Sequence, residues 1–129
     1  MVNIFKFFSC LFILVLFSCF NSKTNEIDIL QVTFKSAVDS FNDGKYIKAK
    51  EEFSNLIYSS PLSGNLDDCQ FYIAECEFNL KNYKNAIVEY SKYLRSNYRK
   101  SSFTTKSEIM LCRCHYKLSM KYNKDQSDT

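Results

Sequence analysis

The chain repeats its own pattern of small and aromatic residues with a period of 37, and this constrains its fold more than any other feature. Five pairs of residues of matching character are separated by this distance, as in 83 − 46. The pairs are Ala37 and Ala74, Phe41 and Phe78, Tyr46 and Tyr83, Ala49 and Ala86, and Phe53 and Tyr90. A period of this length indicates a repeated supersecondary unit whose copies stack on one another.

A third, partial copy follows one residue out of step, at an offset of 38. The second copy's Ala74, Cys76, Phe78 and Leu80 are matched there by Cys112, Cys114, Tyr116 and Leu118. The sequence therefore predicts two full units and one further half unit.

Each unit is predicted to be a pair of helices. The chain has only two glycines and one proline, which is too few turn residues for a β-rich fold of this length. Gly44 suits a left-handed residue at a helix end, and Pro61 interrupts the chain between units. We predict an all-α, tetratricopeptide-like helical hairpin solenoid over 29–121, two repeats plus one extra helix, followed by a polar tail over 122–129. The predicted helices cover about 29–42, 46–59, 66–80, 83–96 and 104–121.

The residue types in the repeat suit helix packing. Two antiparallel helices approach closely where small side chains meet, and the four alanines provide such places. The aromatic residues then fill the space between one hairpin and the next.

The N-terminus has the pattern of an export signal. A positive charge at Lys6 precedes an apolar stretch from Phe7 to Phe17, which is short for a bilayer span. The sequence Leu16-Phe17-Ser18-Cys19 resembles the bacterial lipobox, in which the cysteine is lipidated and becomes the new N-terminus. This resemblance implies a signal peptide over 1–18, lipidation at Cys19 and a tether over 19–28. The alternative is an uncleaved transmembrane anchor, and both would hold the chain at a membrane.

Charge is distributed unevenly along the chain. Between Glu26 and Phe78 there are ten acidic residues and four lysines, whereas between Asn79 and Lys124 there are eleven basic residues and two glutamates. The basic half could face an acidic protein surface or anionic lipid head groups. Nucleic acid is not expected as a partner of an exported protein.

The first unit resembles a tetratricopeptide repeat. The second half of this unit carries the family's pattern in Gly44, Tyr46, Ala49, Phe53 and Pro61. The second unit has Tyr83, Ala86 and Tyr90 at the corresponding positions, with Lys81 in place of the glycine and Tyr98 in place of the proline. The long connection after Pro61, together with the lipobox and the short tether, is similar to the outer membrane assembly lipoprotein BamD family. The similarity covers Cys19 to about Lys121, the N-terminal half of that family's usual array.

This resemblance implies a groove lined by the first helix of each unit. The groove-facing residues it implies are Phe34, Val38, Phe41, Phe71, Glu75, Phe78, Ile109, Arg113 and Tyr116. Such a groove would take an extended or helical peptide with apolar anchors. The alternative is that these aromatic residues pack between adjacent helices.

The resemblance also implies function, partners and location. It implies a non-enzymatic scaffold of the outer-membrane β-barrel protein assembly complex, anchored in the outer membrane and facing the periplasm. Its partners would be a BamA-like barrel insertase and unfolded outer-membrane clients. Two alternatives are a Tol-Pal-type cell-envelope adaptor, whose family is normally not lipidated, and a surface-exposed lipoprotein.

Reactive residues are few, and no catalytic residue, cofactor, metal site or small-molecule substrate is predicted. Four cysteines lie in the repeat region, where export would permit disulfides but their positions suit small buried side chains. Cys112, Cys114 and His115 lie on one predicted helix and point in different directions, so they do not converge on a zinc ion. No phosphate loop, nucleophile elbow or zinc-protease motif is present.

Overall fold

The computed structural model describes residues 29–60, 66–96 and 103–127. The predicted signal peptide, the lipidation site Cys19, the tether and Pro61 lie outside these residues. The chain divides into two units, Met1–Val32 and Thr33–Thr129, and all contacts given below are within the second.

The described residues form helices and short connections, without a strand, which confirms the predicted all-α class. Helix α1 covers 29–42, α2 Tyr46–Ser59, α3 Leu66–Asn79, α4 Tyr83–Arg95 and α5 Thr104–Ser127. Favourable charges lie near two helix ends: Asp67 and Asp68 in the first turn of α3, and Lys92 and Arg95 in the last turn of α4.

Helix α5 differs from the prediction at its C-terminal end. We predicted that the helix ends near Lys121 and that 122–129 form a polar tail, but α5 continues to Ser127. The side-chain amide of Gln126 donates to the Tyr122 hydroxyl at 2.8 Å, one turn apart on the helix. Such spacing stabilises an exposed helix, so polar composition alone did not mark a helix end here.

The two helical hairpins, α1–α2 and α3–α4, have the same turn. Gly44 has a φ of +76° and Lys81, 37 residues later, a φ of +62°. The Gly44 N–H donates to the Phe41 carbonyl and the Lys81 N–H to the Phe78 carbonyl, each at 3.0 Å. The residues that precede α2 and α4 both have φ −82° and ψ 58°. The repeat in the sequence is therefore also a repeat in backbone geometry.

Within each hairpin the alanines are buried and the aromatic residues bridge the helices. Ala37, Ala49, Ala74 and Ala86 are all fully buried. Near the turn of each hairpin, an edge-to-face pair joins its helices with ring centroids 5.5 Å apart. These pairs are Phe41 with Tyr46 and Phe78 with Tyr83.

A stack of rings and an ion pair join the first hairpin to the second. Phe53 of α2 and Tyr72 of α3 are stacked with centroids 4.9 Å apart and planes 8° apart. The Lys50 ammonium of α2 lies 2.9 Å from a carboxylate oxygen of Glu77 of α3. A continuous core then runs between α3, α4 and α5, where Phe71, Tyr90, Tyr93, Met110 and Cys114 are buried together.

Among the described helices, none combines the length and the hydrophobicity needed to cross a membrane.

Candidate protein-binding surface

The three predicted groove residues of α1 are half-buried by packing against neighbouring helices. The Phe34 ring lies 5.8 Å from the Phe53 ring and 6.2 Å from the Tyr72 ring. The Phe41 ring contacts Tyr46 and Tyr72. Part of each side chain, Val38 included, remains accessible.

Phe71 of α3 is a core residue with only 1% of its surface exposed. Its ring is stacked on that of Phe103, with centroids 4.2 Å apart, and the Lys106 ammonium lies 4.8 Å from its centroid. Phe103 precedes α5 and is outside the repeat pattern, so the sequence did not indicate that it covers Phe71. The side chain therefore has no free face to offer a ligand.

Glu75 is also buried, with 7% of its surface exposed. One carboxylate oxygen accepts a short hydrogen bond from the Tyr90 hydroxyl, and the other lies 3.1 Å from the Lys106 ammonium. Burial raises the pKa of Tyr90, and the hydrogen bond to Glu75 raises it further. Because both oxygens are engaged within the protein, Glu75 connects α3 with α4 and α5 and does not face a groove.

The α5 residues of the predicted set, by contrast, lie together on the surface. Ile109 is 56% and Tyr116 60% exposed, and Arg113 is exposed beside them. With Glu108 and Cys112 they line a shallow depression, hereafter the α5 face. Apart from its two charged residues, the α5 face is apolar.

Arg113 connects the α5 face with the second hairpin. Its guanidinium carbon lies 5.3 Å from the centroid of the half-buried Phe78 ring, and one guanidinium nitrogen lies 3.3 Å from the Met110 sulfur. A cation held over an aromatic ring keeps a defined position while its remaining N–H groups can bind a partner. Of the nine predicted groove residues, the structure thus brings together Phe78, Ile109, Arg113 and Tyr116.

The four cysteines of the described residues are free thiols, which agrees with the small-hydrophobe alternative for three of them. Cys69, Cys76 and Cys114 are buried, and burial raises the pKa of Cys69 and Cys76 to about 12 and that of Cys114 to about 11. Cys112 is exposed, although its alignment with Ala74 predicted a buried side chain. The reason is that Ala74 is covered by α4, whereas no described helix covers Cys112.

The basic half of the chain surrounds a second cleft, of about 600 Å³, between the α3–α4 turn and the C-terminal part of α5. Three lysines and two tyrosines are among the residues that line it: Lys81, Lys84, Lys121, Tyr83 and Tyr122. Three of the eleven basic residues of this half of the chain therefore lie around one cleft.

Within the described ranges, no group of three or more His, Cys, Asp or Glu side chains is placed to hold a metal ion. Cys114 is buried while Cys112 and His115 are exposed on the same helix.

Two residues of the α5 face, Glu108 and Cys112, were not among the predicted binding residues. The signal for both was present in the 38-residue offset, which aligns them with Gln70 and Ala74 of the second hairpin. The offset alone does not show that Gln70 and Ala74 face a neighbouring helix, which is visible only in the contacts between α3 and α4. In comparisons with known proteins, no protein-family model and no curated protein matches this chain.

Proposed function

We propose that the protein is a lipid-anchored, non-enzymatic scaffold that binds proteins at the periplasmic face of the outer membrane, within the machinery that assembles β-barrel proteins. It is a tetratricopeptide-type protein in this proposal. It positions a BamA-like insertase or an unfolded client and carries out no chemistry of its own. The anchor is a lipidated Cys19.

The observation that carries the proposal is the exposed apolar strip of α5. Ile109 and Tyr116 are more than half exposed, and Met120 continues the strip one turn further along the helix. At the equivalent position of α3, by contrast, Phe71 is buried. Apolar residues grouped on a surface in this way mark a site of protein contact.

The tetratricopeptide assignment rests on the hairpin geometry together with the sequence motif. Stacked hairpins with one recurring turn, buried alanines and interhelical aromatic pairs are what repeat arrays of this type require. Such arrays bind peptides and helices through surfaces that their repeated helices present, and the α5 face is a surface of that kind.

Cross-linking in intact cells tests the proposal. A photoreactive amino acid is placed at Tyr116, and the cross-linked products are identified by mass spectrometry. We expect a β-barrel insertase or another subunit of that machinery from position 116. The matched control is Tyr58 of α2, which is 91% exposed and is not among the residues that line the α5 face. Failure to recover any assembly subunit from position 116 would contradict the proposal.

Two further measurements test its remaining parts. Replacing Cys19 with serine should abolish incorporation of labelled fatty acid and release the protein from the membrane fraction. Protease added to whole cells should leave the protein intact, and digestion without lysis would instead support the surface-lipoprotein alternative.

A further inference from the structure

The contacts between α3 and α4 show how this protein holds one helix against another. The Tyr83 ring of α4 meets Phe78 edge-to-face, and the Tyr93 ring lies 6.1 Å from Phe71. Ala74 and Ala86 are fully buried in the same cluster. Two polar contacts complete the interface, since the Gln70 amide donates to Glu89 at 2.7 Å and the Tyr90 hydroxyl donates to Glu75.

The same five positions recur on α5, where they form the α5 face. Adding 38 to Gln70, Phe71, Ala74, Glu75 and Phe78 gives Glu108, Ile109, Cys112, Arg113 and Tyr116, the residues that line the depression. The offset also relates buried residues on the opposite side of the two helices, Cys69 with Ser107 and Cys76 with Cys114. The α5 face is therefore the surface on which α3 holds α4, here without a described helix covering it.

Helix α5 is not followed by a hairpin turn at the position equivalent to the α3–α4 turn. The turn between α3 and α4 begins at Leu80, whose equivalent is Leu118, yet α5 stays helical from Leu118 to Ser127. These ten residues (127 − 118 + 1) carry the chain about 15 Å past the place where the hairpin would turn, at 1.5 Å per residue. A helix on the α5 face thus does not arrive through the three-residue turn used by the two hairpins.

Glu108 and Arg113 of the α5 face indicate which charges a helix bound there should carry. Where α3 offers Gln70 as donor and Glu75 as acceptor, α5 offers Glu108 as acceptor and Arg113 as donor. A covering helix therefore fits best with a basic residue at the position of Glu89, which donates to Glu108 and balances its charge, and an acidic residue at the position of Tyr90, which accepts from Arg113. A like charge at either position would be repelled, so the polar pair sets specificity.

These charges also exclude a second copy of the chain as a fitting occupant. The chain has four alanines, and three and four residues after them stand Ser40 and Phe41, Glu52 and Phe53, Glu77 and Phe78, and Glu89 and Tyr90. None of these pairs is basic then acidic. We therefore assign the α5 face to a helix of a different sequence.

We infer that the α5 face binds an amphipathic helix of a partner protein in the register in which α4 lies on α3. This helix carries an aromatic residue and, three residues later, an alanine. A basic and an acidic residue follow three and four residues after the alanine, and a large apolar residue lies ten residues after the aromatic one. The inference deepens the proposed function and rests on it for the identity of the partner. The alanine of the partner helix lies over Cys112, as Ala86 lies in the cluster with Ala74.

A designed peptide tests the register and the charge pattern. The probe is YKNAIVKESKYLR, which is the α4 sequence with Glu89→Lys and Tyr90→Glu, stapled on its exposed side because an isolated helix of this length is marginal in water. Binding of the fluorescently labelled peptide to the full chain in detergent is followed by anisotropy. We expect saturable binding, and at least tenfold weaker binding of a stapled peptide with the unaltered α4 sequence.

Charge exchange distinguishes the intended contact from non-specific adhesion. Arg113→Glu should weaken binding of the probe at least tenfold, and a probe with lysine in place of its glutamate should regain binding to that variant. Arg95→Glu, which alters an exposed basic residue of α4, is the matched control and should leave binding unchanged. Far-ultraviolet circular dichroism verifies that both variants are folded.

Disulfide exchange tests whether the alanine position of the bound peptide lies next to Cys112. A probe with cysteine at the alanine position, activated as its thionitrobenzoate disulfide, should react with the Cys112 thiol. The Cys112 sulfur forms the new bond to the peptide sulfur, thionitrobenzoate leaves as a coloured thiolate, and the thiol proton goes to the buffer. Release should be at least tenfold faster than from a probe whose cysteine is moved two residues, and Cys112→Ser should abolish it.

The outcomes separate this inference from the proposed function. Absence of saturable binding, equal reaction rates from both cysteine positions, or a dimer of the protein held through the α5 face would overturn the inference. If the peptide fails while position 116 cross-links to an assembly subunit, the register is wrong and the proposed function stands. If the peptide binds as expected while no assembly subunit is cross-linked, the inference holds and the proposed function fails.

Discussion

Lys50 and Glu77 form the ionic contact between the first and second hairpins, with the ammonium nitrogen 2.9 Å from a carboxylate oxygen. Glu77 is buried, and its other oxygen accepts from the Asn82 side chain at 3.0 Å. Lys50→Met removes the charge that compensates this carboxylate. We expect a loss of about 1 to 3 kcal/mol in the free energy of unfolding, measured by urea denaturation.

The double variant with Glu77→Gln separates the pair from its surroundings. Because it removes both charges, its stability loss should be smaller than the sum of the two single losses. Glu51→Ala, at an exposed position of α2, is the control and should change stability by less than about 0.5 kcal/mol. Additive single losses would show that the two side chains do not interact.

Gly44 and Lys81 should respond in opposite ways to substitution. Both residues have positive φ, which costs a residue with a Cβ about 1 to 2 kcal/mol. Nothing lies within 4 Å of a Cβ built on Gly44, so Gly44→Ala tests the backbone cost alone and should destabilise by about 1 kcal/mol. Lys81→Gly should stabilise by about 0.5 kcal/mol, since relief of strain exceeds the added entropy of the unfolded chain.

Thermal and urea unfolding of the two variants provide the measurement. Lys81→Ala is the matched control for loss of the side chain, and it should not stabilise because it keeps the positive φ. A destabilising Lys81→Gly would mean that the lysine side chain, and not its backbone, determines the stability of this turn.

Ser107→Ala should stabilise the protein slightly. Ser107 is fully buried, and within the described part of the chain its hydroxyl oxygen has no hydrogen-bond partner. A buried hydroxyl without a partner costs about 1 to 3 kcal/mol, so its removal should raise stability by about 0.5 to 1 kcal/mol despite a small void. Ser54→Ala, at an exposed position of α2, is the comparison. A loss above about 1 kcal/mol for Ser107→Ala would reveal a hydrogen bond that the variant breaks.

The buried thiols should make stability fall at alkaline pH. In the folded protein the pKa of Cys76 is raised to about 12, so the unfolded chain loses this proton first as pH rises above about 9. The stabilising contribution is complete below pH 9 and is lost as pH rises towards 12. The stability difference between the protein and Cys76→Ala should therefore shrink over this range, as measured by urea denaturation at each pH.

Alkylation of the native protein gives an independent check on the same thiols. At pH 8 iodoacetamide should modify Cys112 and leave Cys69, Cys76 and Cys114 unmodified until urea is added, because burial keeps these three both protonated and inaccessible. Modification of a buried thiol at the rate of Cys112 would place it on the surface.

The helices and their turns were predictable because local chemistry specifies them. Gly44 suits the left-handed residue of the first turn, and the 37-residue offset predicts the same turn at Lys81. The spaced alanines indicate where helices meet. The depth of each residue was not predictable in the same way. Periodicity assigned Phe71 to a helix face but could not indicate that Phe103, from the following connection, would cover it. The length of α5 was missed because exposed polar residues are compatible with both a helix and a tail.

The neighbour-to-neighbour packing of the helices has a consequence for how the chain folds. Helix α2 contacts α3, α3 contacts α4 and α4 contacts α5, so most contacts join segments that are close along the chain. Such topologies have low contact order and form rapidly, because closing a short loop costs little entropy and the apolar contacts that follow offset this cost. Each hairpin can thus form as soon as its second helix is available, before the helices that follow it along the chain have folded.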